Sequence, residues 1–223
     1  MDKRTPVLDL AQTVNPRFRI LVVGKSGVGK SSLINAVFKA PLVEVAHNQP
    51  GTADVEREIT SENNCNFVLH DSFGYEAGDE EGFVALKKFI ADRNRKKDVA
   101  DRIHAIWLCI TVPFAGSRIL ERGDGRIFEL TEDKVPVIVV FTKYDLLFVR
   151  AKGQLLKDKT EGGSAFREIC MKGAERDFEM QCAQPFRNMT KGMSADIPYI
   201  PVAKSWPETL QKLLETTIKK CVN

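Results

Sequence analysis

Arg19-Ile20-Leu21-Val22-Val23-Gly24-Lys25-Ser26-Gly27-Val28-Gly29-Lys30-Ser31-Ser32-Leu33-Ile34-Asn35 is the stretch on which the reading of this chain turns. It predicts a short apolar strand, a glycine-rich turn and a helix start. Gly24, Gly29, Lys30 and Ser31 satisfy the pattern G-x-x-x-x-G-K-[ST] in the strand–turn–helix setting that the pattern requires. Glycines admit backbone conformations barred to residues with a Cβ, so the N–H groups of Ser26, Gly27, Val28, Gly29, Lys30, Ser31 and Ser32 can surround a phosphate. The helix that follows adds unpaired N–H groups and the positive end of its dipole. In such a loop the lysine, Lys30, reaches the terminal phosphates, and the hydroxyl of Ser31 ligates magnesium.

Outward from this loop the chain alternates strands with helices, the pattern of a three-layer α/β domain. Leu33, Ile34, Val37 and Phe38 form one helical face, and Pro41 ends it. Residues 42–53 are polar and turn-prone. Val55, Arg57 and Ile59 alternate with Glu56 and Glu58, which predicts an edge strand. Strands are expected at 66–71, 103–112, 135–141 and 197–202, the last at an edge because of Pro198 and Pro201. The unbroken apolar run at Val135–Phe141 predicts a strand buried on both faces of a parallel sheet. Helices are expected from Asp79, over 116–130, and from Pro207 to Val222. Residues 146–194 carry helix formers and no strand pattern, predicting one or two helices broken near Gly162-Gly163 and Pro185. Residues 1–17 form an N-terminal extension to a domain spanning 18–223, with 146–194 as a helical, elongated insertion before the last strand.

Composition narrows the class. The chain has 223 residues, 43% apolar and 28% charged, and a net charge of +3, too small to argue for nucleic acid or a membrane. No run approaches the ~20 apolar residues of a membrane span. Five scattered cysteines with no C-x-x-C pair fit reduced thiols, and a cytoplasmic, soluble protein is expected. His47, His70 and His104 show no ligand or relay spacing.

Two further motifs follow predicted strands. Asp71-Ser72-Phe73-Gly74 supplies D-x-x-G: the carboxylate at a strand end can hold a magnesium-bound water, and the Gly74 N–H can meet a γ-phosphate. Thr142-Lys143-Tyr144-Asp145 follows the most buried strand. Asp145 can accept two hydrogen bonds from the N1–H and N2–H₂ edge of guanine, which adenine cannot offer. Lys143 can lay its aliphatic stem along the base.

In this order the three motifs resemble the P-loop GTPases of the translation-factor-like class. Gly29-Lys30-Ser31-Ser32-Leu33-Ile34-Asn35-Ala36 and Pro50-Gly51-Thr52 resemble the Era/TrmE/septin-like branch, which includes the HSR1-related GTP-binding proteins. The resemblance covers about residues 18–221. It implies a G domain with a mostly parallel six-stranded sheet, helices on both faces, and guanine nucleotide (GTP or GDP) with magnesium at the strands' carboxyl ends. It further implies that Thr52 is the switch threonine on magnesium and γ-phosphate, so that Ser31, Thr52 and Asp71 form the metal set and Lys30, Thr52 and Gly74 the catalytic one. Val202-Ala203-Lys204 stands where the family has Ser-Ala-Lys; the Ala203 N–H is expected on guanine O6, with Lys204 packing beside the base.

Departures bear on mechanism. Tyr75 stands where Ras-type members have a water-orienting glutamine, so intrinsic hydrolysis is expected to be slow or assisted; Glu76 is a candidate substitute. Gly27 replaces the asparagine of potassium-stimulated members, and Thr142 replaces the commoner asparagine. The expected activity is magnesium-dependent GTP hydrolysis driving a conformational switch in residues 42–54 and 74–82. The rivals are a septin-like, nucleotide-dependent assembly module with little hydrolysis and an ATP-using enzyme sharing only the phosphate loop. A protein effector or activating factor is implied without being identified, a nucleotide-dependent dimer is compatible with the resemblance, and nothing points directly to nucleic acid.

Overall fold

A computed structural model of the chain describes residues 17–40, 55–72, 74, 80–113, 128, 135–157, 166–193 and 197–222. Five parallel strands lie in the order β2-β1-β3-β4-β5: β1 Phe18–Val23, β2 Phe67–Asp71, β3 Ala105–Thr111, β4 Val137–Thr142 and β5 Tyr199–Pro201. β1 to β4 are apolar almost throughout and buried along nearly their whole length, as expected of a sheet covered on both faces. The register runs Val22 against Asp71 on one side of β1 and Val23 against Leu108 on the other. The carboxyl ends of β1, β2 and β3 therefore come together where the strand order changes direction, the place at which open α/β sheets bind ligands.

Alternation along each strand sorts side chains into two cores. Phe18, Ile20, Val22, Trp107, Ile138 and Val140 face α1 (Lys30–Phe38) and α6 (Pro207–Val222), which add Leu33, Ile34, Phe38, Leu213 and Ile218. Their neighbours Leu21, Val23, Ile106, Leu108, Val139 and Phe141 face the other way. There they meet α2 (Glu80–Asn94), α3 (Asp145–Lys157), α4 (Phe166–Phe178) and α5 (Gln184–Thr190). The buried Trp107 indole donates to Thr217 Oγ1 at 2.9 Å, tying β3 to α6, so the one polar atom of that side chain is satisfied within the core.

Two expectations are corrected. The described sheet has five strands, not six, because 55–59 does not form a ladder; only Ile59 pairs, in a single antiparallel bridge to Leu69. The reason is side-chain competition. Glu58 bonds Arg19 at 2.6 Å, Glu56 reaches Arg93, and the Val55 carbonyl is taken by His70, so this segment turns over the edge strand. Pro185 does not break the helical region: a π-turn at Glu179–Ala183 runs on from α4 and leads into α5, with Pro185 in its first turn, where a missing N–H costs least. The N-terminal extension 1–17 and the expected helix over 116–130 fall almost wholly outside the described residues, as do Gly162 and Gly163.

Candidate functional site

Gly24 leaves β1 at φ 152°, and a Cβ on it would lie 2.4 Å from the carbonyl oxygen of Cys109 on β3. Only glycine permits that approach, which sets the loop over the switch point of the sheet. Gly29, at φ 101°, opens α1 with no side-chain cap, and the first turn holds no acidic residue. The helix thus presents its first amides and positive end to an anion. The Lys30 Nζ donates to the carbonyls of Gly24 (2.8 Å) and Lys25 (3.0 Å), so the loop's own backbone orients the cation.

Ser31 Oγ lies 3.4 Å from Asp71 Oδ2, joining α1 to the end of β2. The other oxygen, Asp71 Oδ1, is buried and accepts no hydrogen bond among the described residues. Burial pushes the Asp71 carboxyl above its usual 3.8, while Lys30 and the Ser31 hydroxyl pull it back without prevailing. A hydroxyl and a half-satisfied carboxylate suit Mg2+, which binds through one or two protein oxygens, waters and substrate phosphates rather than an all-protein cage. Gly74 completes this side: a Cβ there would lie 2.5 Å from the Ser26 nitrogen and 2.7 Å from its Cα, so the D-x-x-G turn rests on the phosphate loop backbone.

On the other flank, each residue of the 142–145 motif is pinned separately. The Thr142 hydroxyl donates to the Val28 carbonyl, which Thr111 Oγ1 also approaches at 3.4 Å. Lys143 takes a left-handed backbone at φ 57° and its Nζ donates to the Gly27 carbonyl at 2.8 Å. The Tyr144 N–H donates to Val202 at 3.1 Å, joining this motif to the 202–204 loop. Asp145, half-buried at the start of α3, has no side-chain partner among the described residues, as a carboxylate reserved for a ligand would. Ala203 differs from expectation. It is fully buried, and its N–H donates to Thr209 Oγ1 at 3.1 Å, while Lys204 is exposed. A guanine O6 placed here has to share that amide with Thr209, a residue six positions on that carries no motif signal.

Sequence reasoning also missed a charged network under the site. Arg19 on β1 is 3% exposed and donates to Glu58 and, at 2.8 Å, to His70 Nε2. A guanidinium can only donate, so Nε2 is the acceptor and His70 Nδ1–H donates to the Val55 carbonyl at 2.6 Å. Burial first, and then the charges of Arg19 and Arg93, hold the His70 imidazole down at about 4, neutral at physiological pH. His70 thereby fastens the chain where it emerges from residues 42–54. Thr52, Phe73, Tyr75 and Glu76 lie outside the described residues.

Fold and site together define a P-loop nucleotide-binding domain of the G type. Residues 19–143 match the family described as 50S ribosome-binding GTPase, and the chain belongs to that family. It is 27% identical to Septin-2B of Xenopus tropicalis over 218 residues, covering 84% of this chain and 58% of the septin. It is 29% identical to GTPase Der of Mycoplasma pneumoniae over 169 residues, 75% of this chain and 36% of Der. The chain thus spans only part of the length of these relatives. Among solved structures, Toc33 of Arabidopsis thaliana with Mg2+ and GMPPNP superposes at TM-score 0.56 and 15% identity, over 96% of this chain and 88% of that one. Era of Aquifex aeolicus bound to GDP.AlF4- gives 0.53 and 15% over 91% and 56%. At this identity these two speak for the fold. Among the described residues no helix is long and apolar enough to cross a membrane.

Proposed function

We propose that this chain binds GTP and GDP with magnesium and hydrolyses GTP to GDP and phosphate, with slow intrinsic turnover, as a conformational switch. The observation that carries the reading is the convergence, beside the uncapped start of α1, of Ser31 and an Asp71 oxygen that has no partner among the described residues. In this mechanism Ser26 to Ser32 offer backbone N–H groups to the phosphates. Lys30 neutralises charge growing on the oxygen that leaves with GDP, and the Gly74 N–H steadies the γ-phosphoryl oxygens. Ser31, Thr52 and Asp71 would hold magnesium, which when bound offsets the negative charge of the β- and γ-phosphates. A water attacks the γ-phosphorus, its O–P bond forming as the bond to the β-phosphate oxygen breaks. Tyr75 stands where Ras-type members carry the water-orienting glutamine, with Glu76 the candidate substitute, which supports slow turnover. Thr142, Lys143, Asp145, Ala203 and Lys204 would hold the guanine. Loss of the γ-phosphate would release residues 42–54 and 74–82.

The test is nucleotide choice. Asp145→Asn should lose at least about tenfold in GTP affinity, from a charged hydrogen bond of ~1.5–3 kcal/mol, and gain affinity for xanthosine triphosphate. Unchanged GTP affinity would favour an ATP-using enzyme. A second reading, a septin-like assembly module with little hydrolysis, draws on Tyr75 and on the septin similarity over most of the chain. Nucleotide-dependent oligomer size, measured beside multiple-turnover hydrolysis, separates the two. A cytoplasmic setting, and an effector or activating protein, belong to the same proposal.

A further inference from the structure

The most extended aromatic assembly in the described residues lies behind the 142–145 motif, and Tyr144 joins its larger part, around Phe178, to Trp206. This ring is 6% exposed and stands edge-on to Phe178 (centroids 5.5 Å apart, 75°) and to Trp206 (5.5 Å, 85°). Phe178 ends α4, and Trp206 lies just past the 202–204 loop. Behind Phe178 stand Phe141 at 5.4 Å and Tyr199 at 6.3 Å, while Phe148 closes on Trp206 at 5.8 Å. Edge-to-face pairs of this kind are directional, so each ring fixes its neighbours' orientation as well as adding buried area.

Tyr144 is the residue before Asp145. Its N–H is bonded to Val202, and its carbonyl accepts the Leu147 N–H of α3 at 3.1 Å. Thr142 and Lys143 are bonded to the phosphate loop, so they fix the motif's near end only. Beyond the backbone bonds of Tyr144, the end that carries the carboxylate has that residue's packed ring beside it. Resting on the functional reading above, we infer that Tyr144, gripped between Phe178 and Trp206, is the positioning residue that aims Asp145 at the guanine edge. The α4 helix thereby becomes part of base selection although it touches no nucleotide. Phe178 can hold that place because the π-turn that begins at Glu179 turns Cys182, Ala183 and Phe186 back into the same core.

The discriminating measurement is the preference for GTP over inosine triphosphate, which lacks the N2 amino group that Asp145 is placed to accept. A merely structural weakening lowers affinity for both nucleotides alike, whereas a misaimed carboxylate erases the difference between them. Competition binding on the full chain with magnesium should give a wild-type preference of about tenfold or more, the worth of one charge-assisted hydrogen bond. Tyr144→Leu should bring the ratio close to one and raise KM for GTP with kcat nearly unchanged. Tyr144→Phe, which keeps the ring, should restore the ratio. Phe178→Leu, made in parallel in case Tyr144→Leu does not fold, should lower the ratio on its own. A wild-type preference retained within twofold by folded Tyr144→Leu or Phe178→Leu overturns the inference and leaves GTP binding standing. Absence of guanine nucleotide binding in the wild type overturns both.

Discussion

Replacing Asp71 by asparagine separates what the carboxylate does for the fold from what it does for a ligand. One of its oxygens is buried with no partner among the described residues, and burial outweighs the pull of Lys30 and Ser31 on its ionisation. A carboxyl whose folded pKa is raised binds more protons folded than unfolded. Stability therefore falls as pH rises from its usual 3.8 through the elevated value, and the ionised group remains a liability at neutral pH. An unsatisfied buried acceptor costs ~1–3 kcal/mol, and asparagine keeps the shape without the charge while losing the attraction of Lys30. A net gain of about 1 kcal/mol is expected, or roughly 2–4 °C in Tm for a chain of this size. Thermal denaturation at pH 7.5 in EDTA without nucleotide should show Asp71→Asn melting above the wild type. Adding magnesium and GDP should reverse the order, because only the wild type gains the full increment from ligand binding. If Asp71→Asn melts below the wild type in EDTA, the carboxylate is serving the fold and the reasoning fails.

Gly24→Ala should lower Tm by several degrees in thermal denaturation: its Cβ meets a backbone oxygen at 2.4 Å, and overpacking of this kind costs roughly 1–3 kcal/mol or more. Gly74→Ala has its nearest obstacle in the Ser26 backbone and should push the D-x-x-G turn off the phosphate loop. Steady-state hydrolysis should then fall by about tenfold or more, while GDP affinity by calorimetry stays within about threefold, since the γ-phosphate contact is the one disturbed. His70 has its imidazole depressed to about 4, so its stabilising contribution is complete above its usual 6.5 and is lost as pH falls through about 4. Denaturant titrations should show a loss of up to roughly 3 kcal/mol across that window, absent in His70→Asn, which starts from a lower plateau.

The phosphate loop, the two motifs after β2 and β4, and the alternation that makes the sheet were all legible because each is a local pattern. Glycine spacing, an apolar run and a polar turn need no distant partner to be recognised. The failures share a cause. The 55–59 segment alternates like a strand, yet Arg19 and His70 sit far from it in sequence and claim its Glu58 side chain and its Val55 carbonyl. Pro185 reads as a helix breaker until the π-turn before it removes the conflict.

By itself the sequence marked out the candidates for the chemistry: Lys30 and Ser31 on a glycine turn, Asp71 and Asp145 at strand ends. Only the tertiary structure decided what each is free to do. It showed that Asp71 has an oxygen to spare among the described residues, that the Ala203 amide is already engaged by Thr209, and that Tyr144 is held by rings from two distant segments. Identity and spacing are one-dimensional and survive in a string of letters. Whether a polar atom is satisfied depends on which residues the parallel sheet brings within about 3 Å, and parallel pairing joins segments far apart in the chain.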